Sequence, residues 1–150
     1  MSSEQKAIDF FALQTHERFA DLFIQNCTQK IIVLSEKDVY RFNLQFRYYE
    51  RITPFGTLAS VISEVIHVWI AKWDNEFKNQ MTKLQKNKDM NTEDKKYETT
   101  KLKKIQTNLE KAISNIETNY YKENIVKEVL RKLQLTVQQK KENGSETGKS

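Results

Sequence analysis

The segment from Asp38 to Ile52 combines arginine and aromatic side chains more densely than the rest of the sequence. Its residues alternate in the period-two pattern of a β-strand, turn near Asn43–Gln45, and then alternate again. An arginine can bind a phosphate through two parallel hydrogen bonds, and an aromatic ring can stack on an unpaired base. A strand pair of this composition is therefore a candidate surface for binding nucleic acid.

The alternation divides the residues of this hairpin between two faces. On the return strand, alternate residues give the faces Arg47-Tyr49-Arg51 and Phe46-Tyr48-Ile52. The residues expected to pack against the body of the protein are Tyr40, Phe42 and Tyr48. The residues expected to form a nucleic-acid-binding face are Arg41, Arg47, Tyr49 and Arg51. The alternative is cross-strand pairing with a purely structural role, because such pairs are common in small sheets.

A later helix carries a second basic group. Its apolar residues recur at steps of three and four, and this heptad seam consists of Leu102, Ile105, Leu109, Ala112 and Ile116. The further candidate nucleic-acid contacts lie outside the seam and are Lys96, Lys103, Lys104 and Lys111. The alternative is an ordinary solvated helix face, because glutamates are interleaved with these lysines.

Residues suited to catalysis are few. The only histidines are His16 and His67, and neither belongs to a Cys/His or carboxylate pattern with metal-ligand spacing. Cys27 ends an apolar helical face, where a core thiol is more common than a nucleophile. We therefore expect no metal, no cofactor and no enzymatic activity in this chain.

The last residues, Lys140 to Ser150, are polar and are predicted to be disordered. They end in Gly148-Lys149-Ser150, as a phosphate-binding loop does. Asn143 takes the place of the first glycine of that motif, and the sequence supplies no following helix to hold phosphates at its N-terminus. We expect a polar tail without ATPase activity, and the sequence leaves open whether it is the remnant of a phosphate-binding loop.

Helices must position these surfaces, because apolar residues recur at helical spacing through most of the chain. The predicted helices span Ser2–Leu13, a stretch from Thr15 to about Asn26, about thirty residues from Thr57, a stretch from its cap Thr92 to about Thr118, and Lys122–Gln139. The two longest predict an antiparallel helical hairpin. With Ile31–Leu34 as an additional short strand, the prediction is a mainly-α fold with a small antiparallel β-hairpin near residues 31–52, in one helical domain of residues 1–139.

The overall composition sets limits on the class of protein. The 150 residues suffice for one sizeable core. The net charge of +5 suits a nucleic-acid or other acidic partner, although many soluble proteins share it. The single cysteine excludes an internal disulfide and indicates a reducing compartment. No stretch approaches the roughly 20 apolar residues of a membrane span, so we expect a soluble, intracellular protein without membrane contact.

The order of these elements resembles a known domain. A helix ending near Cys27, an aromatic hairpin, a long helix, a lysine-rich helix and a shorter last helix occur in that order. This series is similar to the accessory domain that precedes the superfamily 3 helicase core in poxvirus-type primase-helicases of large DNA viruses, phages and plasmids. The strand Val39–Asn43 matches an alternating aromatic strand of that domain, and Tyr49 stands where the family commonly has a tryptophan. The resemblance covers roughly Thr15 to Leu133.

Two hypotheses about function follow. The resemblance implies a non-catalytic accessory domain that helps to assemble a ring-shaped helicase or guides DNA into it. The partners it implies are a helicase core or primase polypeptide, single-stranded or forked DNA, and further copies of the chain; a viral protein of this kind would act in the host-cell cytoplasm or at the viral replication site. The alternative is a protein–protein interaction module that pairs its heptad seam with a partner helix and binds no nucleic acid.

Overall fold

The computed structural model describes residues 2–134, which form five helices and a three-stranded antiparallel sheet. The helices are α1 (Ser3–Ala12), α2 (His16–Asn26), α3 (Ala59–Lys86), α4 (Thr92–Ile116) and α5 (Asn119–Leu133). The strands are β1 (Ile31–Val33), β2 (Val39–Asn43) and β3 (Tyr48–Ile52). The predicted mainly-α fold with a small antiparallel sheet is confirmed. The predicted tail and the predicted continuation of the last helix to Gln139 lie outside the described residues.

Polar side chains set the first residues of the last two helices. The Oδ1 atom of Asn91 accepts a hydrogen bond from the backbone amide of Glu93 at 2.8 Å. The cap of α4 is therefore Asn91, and the predicted cap at Thr92 is wrong by one residue because Thr92 already lies in the first turn. The hydroxyl of Thr118 caps α5 in the same way, so this helix begins earlier than the sequence pattern predicted.

A π-helical turn, Pro54–Leu58, leads from β3 into α3. The backbone amide of Thr57 donates to the hydroxyl of Thr53 at 2.9 Å. A Cβ atom at Gly56 would collide with the Thr53 hydroxyl, so a larger residue there would displace this capping group. Proline fits the first position of a helical turn because that position needs no amide donor. Regular α-helix therefore starts slightly later than predicted.

The two longest helices, α3 and α4, form the predicted helical hairpin. The ammonium group of Lys95 closes their connection by donating to the carbonyl oxygens of Gln85 at 3.0 Å and Asn87 at 3.3 Å. All the predicted seam residues are buried: Leu102, Ile105, Leu109, Ala112 and Ile116. Because α4 packs against α1, α3 and α5, its apolar seam is covered by the chain itself.

Polar contacts fix the shorter helices on this hairpin. The Gln14 side chain, between α1 and α2, donates to the carbonyl oxygen of Asn108 on α4 at 2.8 Å. The Lys132 ammonium on α5 lies 2.9 Å from the carboxylate of Asp21 and 3.2 Å from that of Glu17, both on α2. Hydrogen bonds to Asp21, which has the larger effect, and to Glu17 raise the pKa of the Lys132 ammonium. The α2–α5 contact is therefore tied by charge at its surface as well as by packing.

The sheet joins the helical body through one of its faces. In the register of the sheet, Val39 on the central strand lies opposite Val33 on one side and Ile52 on the other. All three residues are buried, and they belong to the same continuous apolar core as the buried residues of the described helices. We call the face that carries Val33, Val39 and Ile52 the inner face of the sheet. Among residues 2–134 no polar or charged side chain is buried, so apolar contact dominates there, with one backbone bridge between Val33 and Gln134 beside it.

Candidate nucleic-acid interface

Arg41 lies on the inner face, beyond the buried residues. Its direct cross-strand partner is Glu50, and the Arg41 guanidinium donates to the Glu50 Oε1 atom through Nε at 3.1 Å and through NH2 at 2.7 Å. Both side chains are less than one-third exposed, at 29% and 28%. This ion pair gives Arg41 a structural partner, and the alternation of the strands places Arg41 and Glu50 on the face opposite to Tyr49 and Arg51. The predicted grouping of Arg41 with those two residues on one face is therefore wrong.

Arg47 lies in the loop between β2 and β3 and belongs to neither face. The Asn43 Oδ1 atom accepts from the backbone amides of Gln45 at 3.0 Å and Phe46 at 3.1 Å. The Arg47 amide then donates to the Asn43 carbonyl at 2.7 Å, which closes the loop. Arg47 adopts a left-handed backbone conformation with φ of 55°. The loop therefore extends through Arg47, and the return strand starts two positions later than the predicted Phe46, at Tyr48.

The tip of this loop exposes apolar side chains. Leu44 is 82% exposed and Phe46 is 65% exposed, and Tyr48 is also exposed. The rings of Phe46 and Tyr48 lie 6.3 Å apart, measured between centroids. Tyr48 was predicted to pack against the body of the protein, and that prediction is wrong because the loop carries the start of β3 away from the helices.

The opposite side of the sheet, which we call the outer face, carries Tyr40, Phe42, Tyr49 and Arg51. Phe42 and Tyr49 are direct cross-strand partners with ring centroids 5.2 Å apart. Tyr40 is paired in the same way with Arg51. All three rings are half-buried and keep part of their surface in solvent. The predicted inward packing of Tyr40 and Phe42 is wrong, because the β-branched residue Val39 occupies the inward position.

Two cationic groups border the outer face. The Lys30 ammonium lies over the Tyr49 ring, 5.7 Å from its centroid. The Arg51 guanidinium lies 2.8 Å from the Asp38 carboxylate and donates to the Lys37 carbonyl oxygen at 3.3 Å. Its side chain is nevertheless 62% exposed, so solvent reaches most of it. The outer face therefore combines exposed ring surface with positive charge.

The four candidate lysines of α4 stand on its solvent-exposed side: Lys96, Lys103, Lys104 and Lys111. No salt bridge engages any of them within residues 2–134. The main packing partners of α4 are helices, whereas the sheet packs on α5 and the π-helical turn. The lysines and the outer face are thus carried by different parts of the fold, so they act as two basic areas. Whether either area binds nucleic acid stays a prediction.

His16 and Cys27, two of the residues considered for catalysis, are both only partly exposed. His16 is half-buried, with its ring 4.6 Å from the Tyr121 ring and 5.1 Å from the Tyr120 ring between centroids. Cys27 is half-buried, and desolvation raises the pKa of its thiol, which disfavours the reactive thiolate. The described part of the chain contains no group of His, Cys, Asp or Glu residues that could hold a metal ion. The Gly148-Lys149-Ser150 ending lies outside the described residues.

One helical stretch, Pro54–Lys86, is long and apolar enough to cross a membrane by length and composition. Its most apolar window has a mean hydropathy of 1.4, and 28% of that window is buried within the protein. Core helices of soluble proteins meet the same criterion, and this helix places Ile62, Ile66 and Ile70 in the core. The stretch is weak evidence for a membrane span. It differs from the prediction that no stretch of the sequence is apolar enough over the length of a membrane span.

Sequence reasoning missed Lys30, Tyr40 and Phe42 as members of the outer face. The two faces could have been identified from the β-branched residues Val39 and Ile52. They lie on the same face of the sheet, and that face is the inner one. Comparisons of the chain with protein-family models, curated proteins and solved structures find no match.

Proposed function

We propose that this chain is a non-catalytic accessory domain of a viral or mobile-element primase-helicase and that it binds single-stranded DNA on the outer face of its sheet. The observation that carries the proposal is the set of side chains on that face, Tyr40, Phe42, Tyr49 and Arg51, with Lys30 beside them. The replication context comes from the resemblance in element order. The binding surface comes from the geometry of the sheet.

The physical argument starts from the rings. Each base of a single strand has an accessible π-face, and stacking on a protein ring contributes about 1–3 kcal/mol per base. Phe42 and Tyr49 lie 5.2 Å apart between centroids with their ring planes inclined at 56°, so a base can stack on one ring and contact the edge of the other. Duplex DNA keeps its bases stacked on one another and cannot use such a surface. We therefore expect a preference for single strands over duplexes.

Positive charge supplies the second part of the argument. Arg51 can exchange its exposed ion pair with Asp38 for a phosphate, because an exposed pair of this kind contributes only about 0–1 kcal/mol. The net charge of +5 adds attraction that does not depend on sequence. The α4 lysines would act in the same way along a longer strand. Binding should therefore weaken as salt rises, because phosphate contacts release counterions.

The proposed partner of the helical body is the helicase core or primase polypeptide. The apolar seam of α4 is covered within the chain, and Leu109 is 1% exposed. The alternative module, which would pair this seam with a partner helix, would have to expose it first. Contact with a replication partner, or with further copies of the chain, would therefore use the outer surfaces of the helices.

Fluorescence anisotropy with labelled single-stranded, forked and duplex oligonucleotides tests the proposal. We expect Phe42→Ala/Tyr49→Ala to weaken single-strand binding by about tenfold or more, because it removes the stacking surface. We expect Arg51→Ala to weaken binding and to lower the slope of log K against log salt by about 0.7, the value for one phosphate contact on a single strand.

Arg131→Ala is the matched control for Arg51. Arg131 is 61% exposed and its guanidinium lies 2.9 Å from Glu128, so its exposure and ion pairing resemble those of Arg51. It lies in the last turn of α5 and is not one of the side chains of the outer face. Equal losses of DNA affinity for Arg51→Ala and Arg131→Ala would mean that the effect comes from the overall charge and not from the position of Arg51. If Phe42→Ala/Tyr49→Ala binds single strands with unchanged affinity, the outer face of the sheet is not part of the interface.

A further inference from the structure

A groove of about 580 Å³ lies between α1, α2 and α3, and it plays no part in the proposed sheet interface. Its apolar wall includes the rings of Phe10, Trp69 and Trp73 together with Leu22. Three cationic side chains also line it, namely Lys6, Arg18 and Lys72. Its volume falls in the range of about 300–1,000 Å³ that is typical of small-molecule sites. The groove therefore combines the size, ring surface and charge of a ligand site.

The rings of this wall are held in fixed positions by one another. The centroid of Trp69 lies 5.3 Å from that of Phe10 and 6.3 Å from that of Trp73, with edge-to-face angles in both pairs. Trp69 is half-buried, whereas Phe10 and Trp73 are almost fully buried. Trp69 therefore offers the ring surface that a planar ligand can contact, and the other two rings support it.

Only some of the charged side chains that line the groove have an ion-pair partner. The Asp21 carboxylate lies 2.9 Å from the Lys132 ammonium, and the Asp9 carboxylate accepts a hydrogen bond from the Gln5 amide at 3.0 Å. Lys6 and Lys72 have no ion-pair partner within residues 2–134. Asp21 is paired with Lys132, so Lys6, Arg18 and Lys72 outnumber the remaining carboxylate, that of Asp9, and the groove keeps a net positive charge.

Further contacts hold cationic groups at the groove. The Arg18 guanidinium donates to the carbonyl oxygens of Asp9 at 3.2 Å and Leu13 at 2.6 Å, so its position is set by the backbone. The Lys72 ammonium lies 5.6 Å from the centroid of the Trp73 ring, where a cation–π attraction keeps it near the wall. An anionic group would find these charges already in place.

We propose that this groove binds a mononucleotide, with the phosphate against Lys6 and Lys72 and the base against Trp69. A nucleotide carries a compact anion and a planar ring within the size of the groove, and both parts find a matching surface. Inorganic phosphate would leave the ring wall unused, and an uncharged ring would leave the lysines unused. The amide side chain of Gln25, which also lines the groove, can donate to or accept from a base edge.

Intrinsic fluorescence reports on this site with little background, because Trp69 and Trp73 are the only tryptophans of the chain. The full chain is titrated with AMP, with adenosine, with inorganic phosphate and with a short oligothymidine, and calorimetry repeats the AMP titration without an optical signal. We expect AMP to give a saturable change and a binding heat, with weaker responses to adenosine and to phosphate.

Lys6→Ala/Lys72→Ala should weaken AMP binding by about tenfold, since two exposed charge contacts are lost. The matched control, Lys83→Ala/Lys127→Ala, removes two exposed lysines, one on α3 and one on α5, that belong neither to the groove nor to the candidate nucleic-acid contacts, and it should leave AMP affinity unchanged. Trp69→Leu should weaken binding in calorimetry. Circular dichroism verifies that each variant stays folded.

No saturable AMP response by either method would overturn the proposal, and so would equal losses for the two lysine pairs. A response to oligothymidine without a response to AMP would also overturn it, because the groove would then recognise a strand. The result is independent of the sheet: Phe42→Ala/Tyr49→Ala should leave AMP binding intact, even if that variant abolishes single-strand binding.

Discussion

Arg41 and Arg51 lie on adjacent strands of one small sheet, yet they face opposite sides of it. Arg41 makes two hydrogen bonds to Glu50 in a setting that is mostly closed to solvent, whereas Arg51 is 62% exposed with a single carboxylate beside it. The first arrangement stabilises the sheet, and the second leaves a guanidinium that a phosphate can reach. Residue type alone therefore does not identify a binding arginine, because the phase of the strand decides what surrounds it.

The same contrast applies to the apolar residues of the two faces, and stability measurements should reveal its largest effect. Ile52→Ala on the inner face should lower the free energy of unfolding by about 2–4 kcal/mol, because it removes buried methyl groups and leaves a cavity. Tyr49→Ala on the outer face should cost about 1 kcal/mol, the order of a cross-strand pair. Urea unfolding followed by circular dichroism provides both values. Equal losses would mean that both faces are packed and that no outer face is available.

A smaller effect is expected from the two arginines themselves. Arg41→Ala should lower the free energy of unfolding by about 1 kcal/mol, because Glu50 loses its partner in a partly closed setting. Arg51→Ala should cost less than about 0.5 kcal/mol, as exposed pairs do. Double-mutant cycles with Glu50→Ala and Asp38→Ala isolate the two pair energies. A stronger coupling for Arg51 than for Arg41 would reverse the assigned roles.

The smallest effect concerns Arg47, which belongs to neither face. Arg47→Gly should raise the free energy of unfolding by about 0.5 kcal/mol, because glycine tolerates the left-handed conformation at φ of 55° but loses more entropy on folding. Thermal unfolding measures the change, and Arg47→Ala is the control that keeps the conformational cost. A lower stability of the glycine variant would indicate that the arginine side chain makes a stabilising contact at the tip.

Helical periodicity predicted the helices well, because a buried seam repeated over many turns leaves little choice of face. Every seam residue from Leu102 to Ile116 is buried as expected. The hairpin is shorter, and period-two alternation permits two phases, of which the sequence reading chose the one with Tyr40 and Phe42 inside. Val39 occupies the core position instead, between the buried residues Val33 and Ile52 of the neighbouring strands.

Other features depend on contacts that local pattern cannot supply. The loop that moves the start of β3 to Tyr48 depends on the Asn43 side chain bonding two backbone amides. The groove brings Lys72 of α3 next to Lys6 and Arg18 of the first two helices, more than fifty residues earlier in the sequence. No spacing rule connects such residues, so the structure was needed to find them.

Photo-crosslinking tests the central claim most directly, because it identifies the contacted residues themselves. A single-stranded oligonucleotide containing a photoreactive halogenated pyrimidine is bound to the full chain, irradiated, and the crosslinked peptides are sequenced by mass spectrometry. We predict crosslinks at the outer-face rings Tyr40, Phe42 and Tyr49, with Arg41 and Glu50 unmodified. Crosslinks confined to α4 or to the groove tryptophans, with the outer-face rings unmodified, would contradict the account.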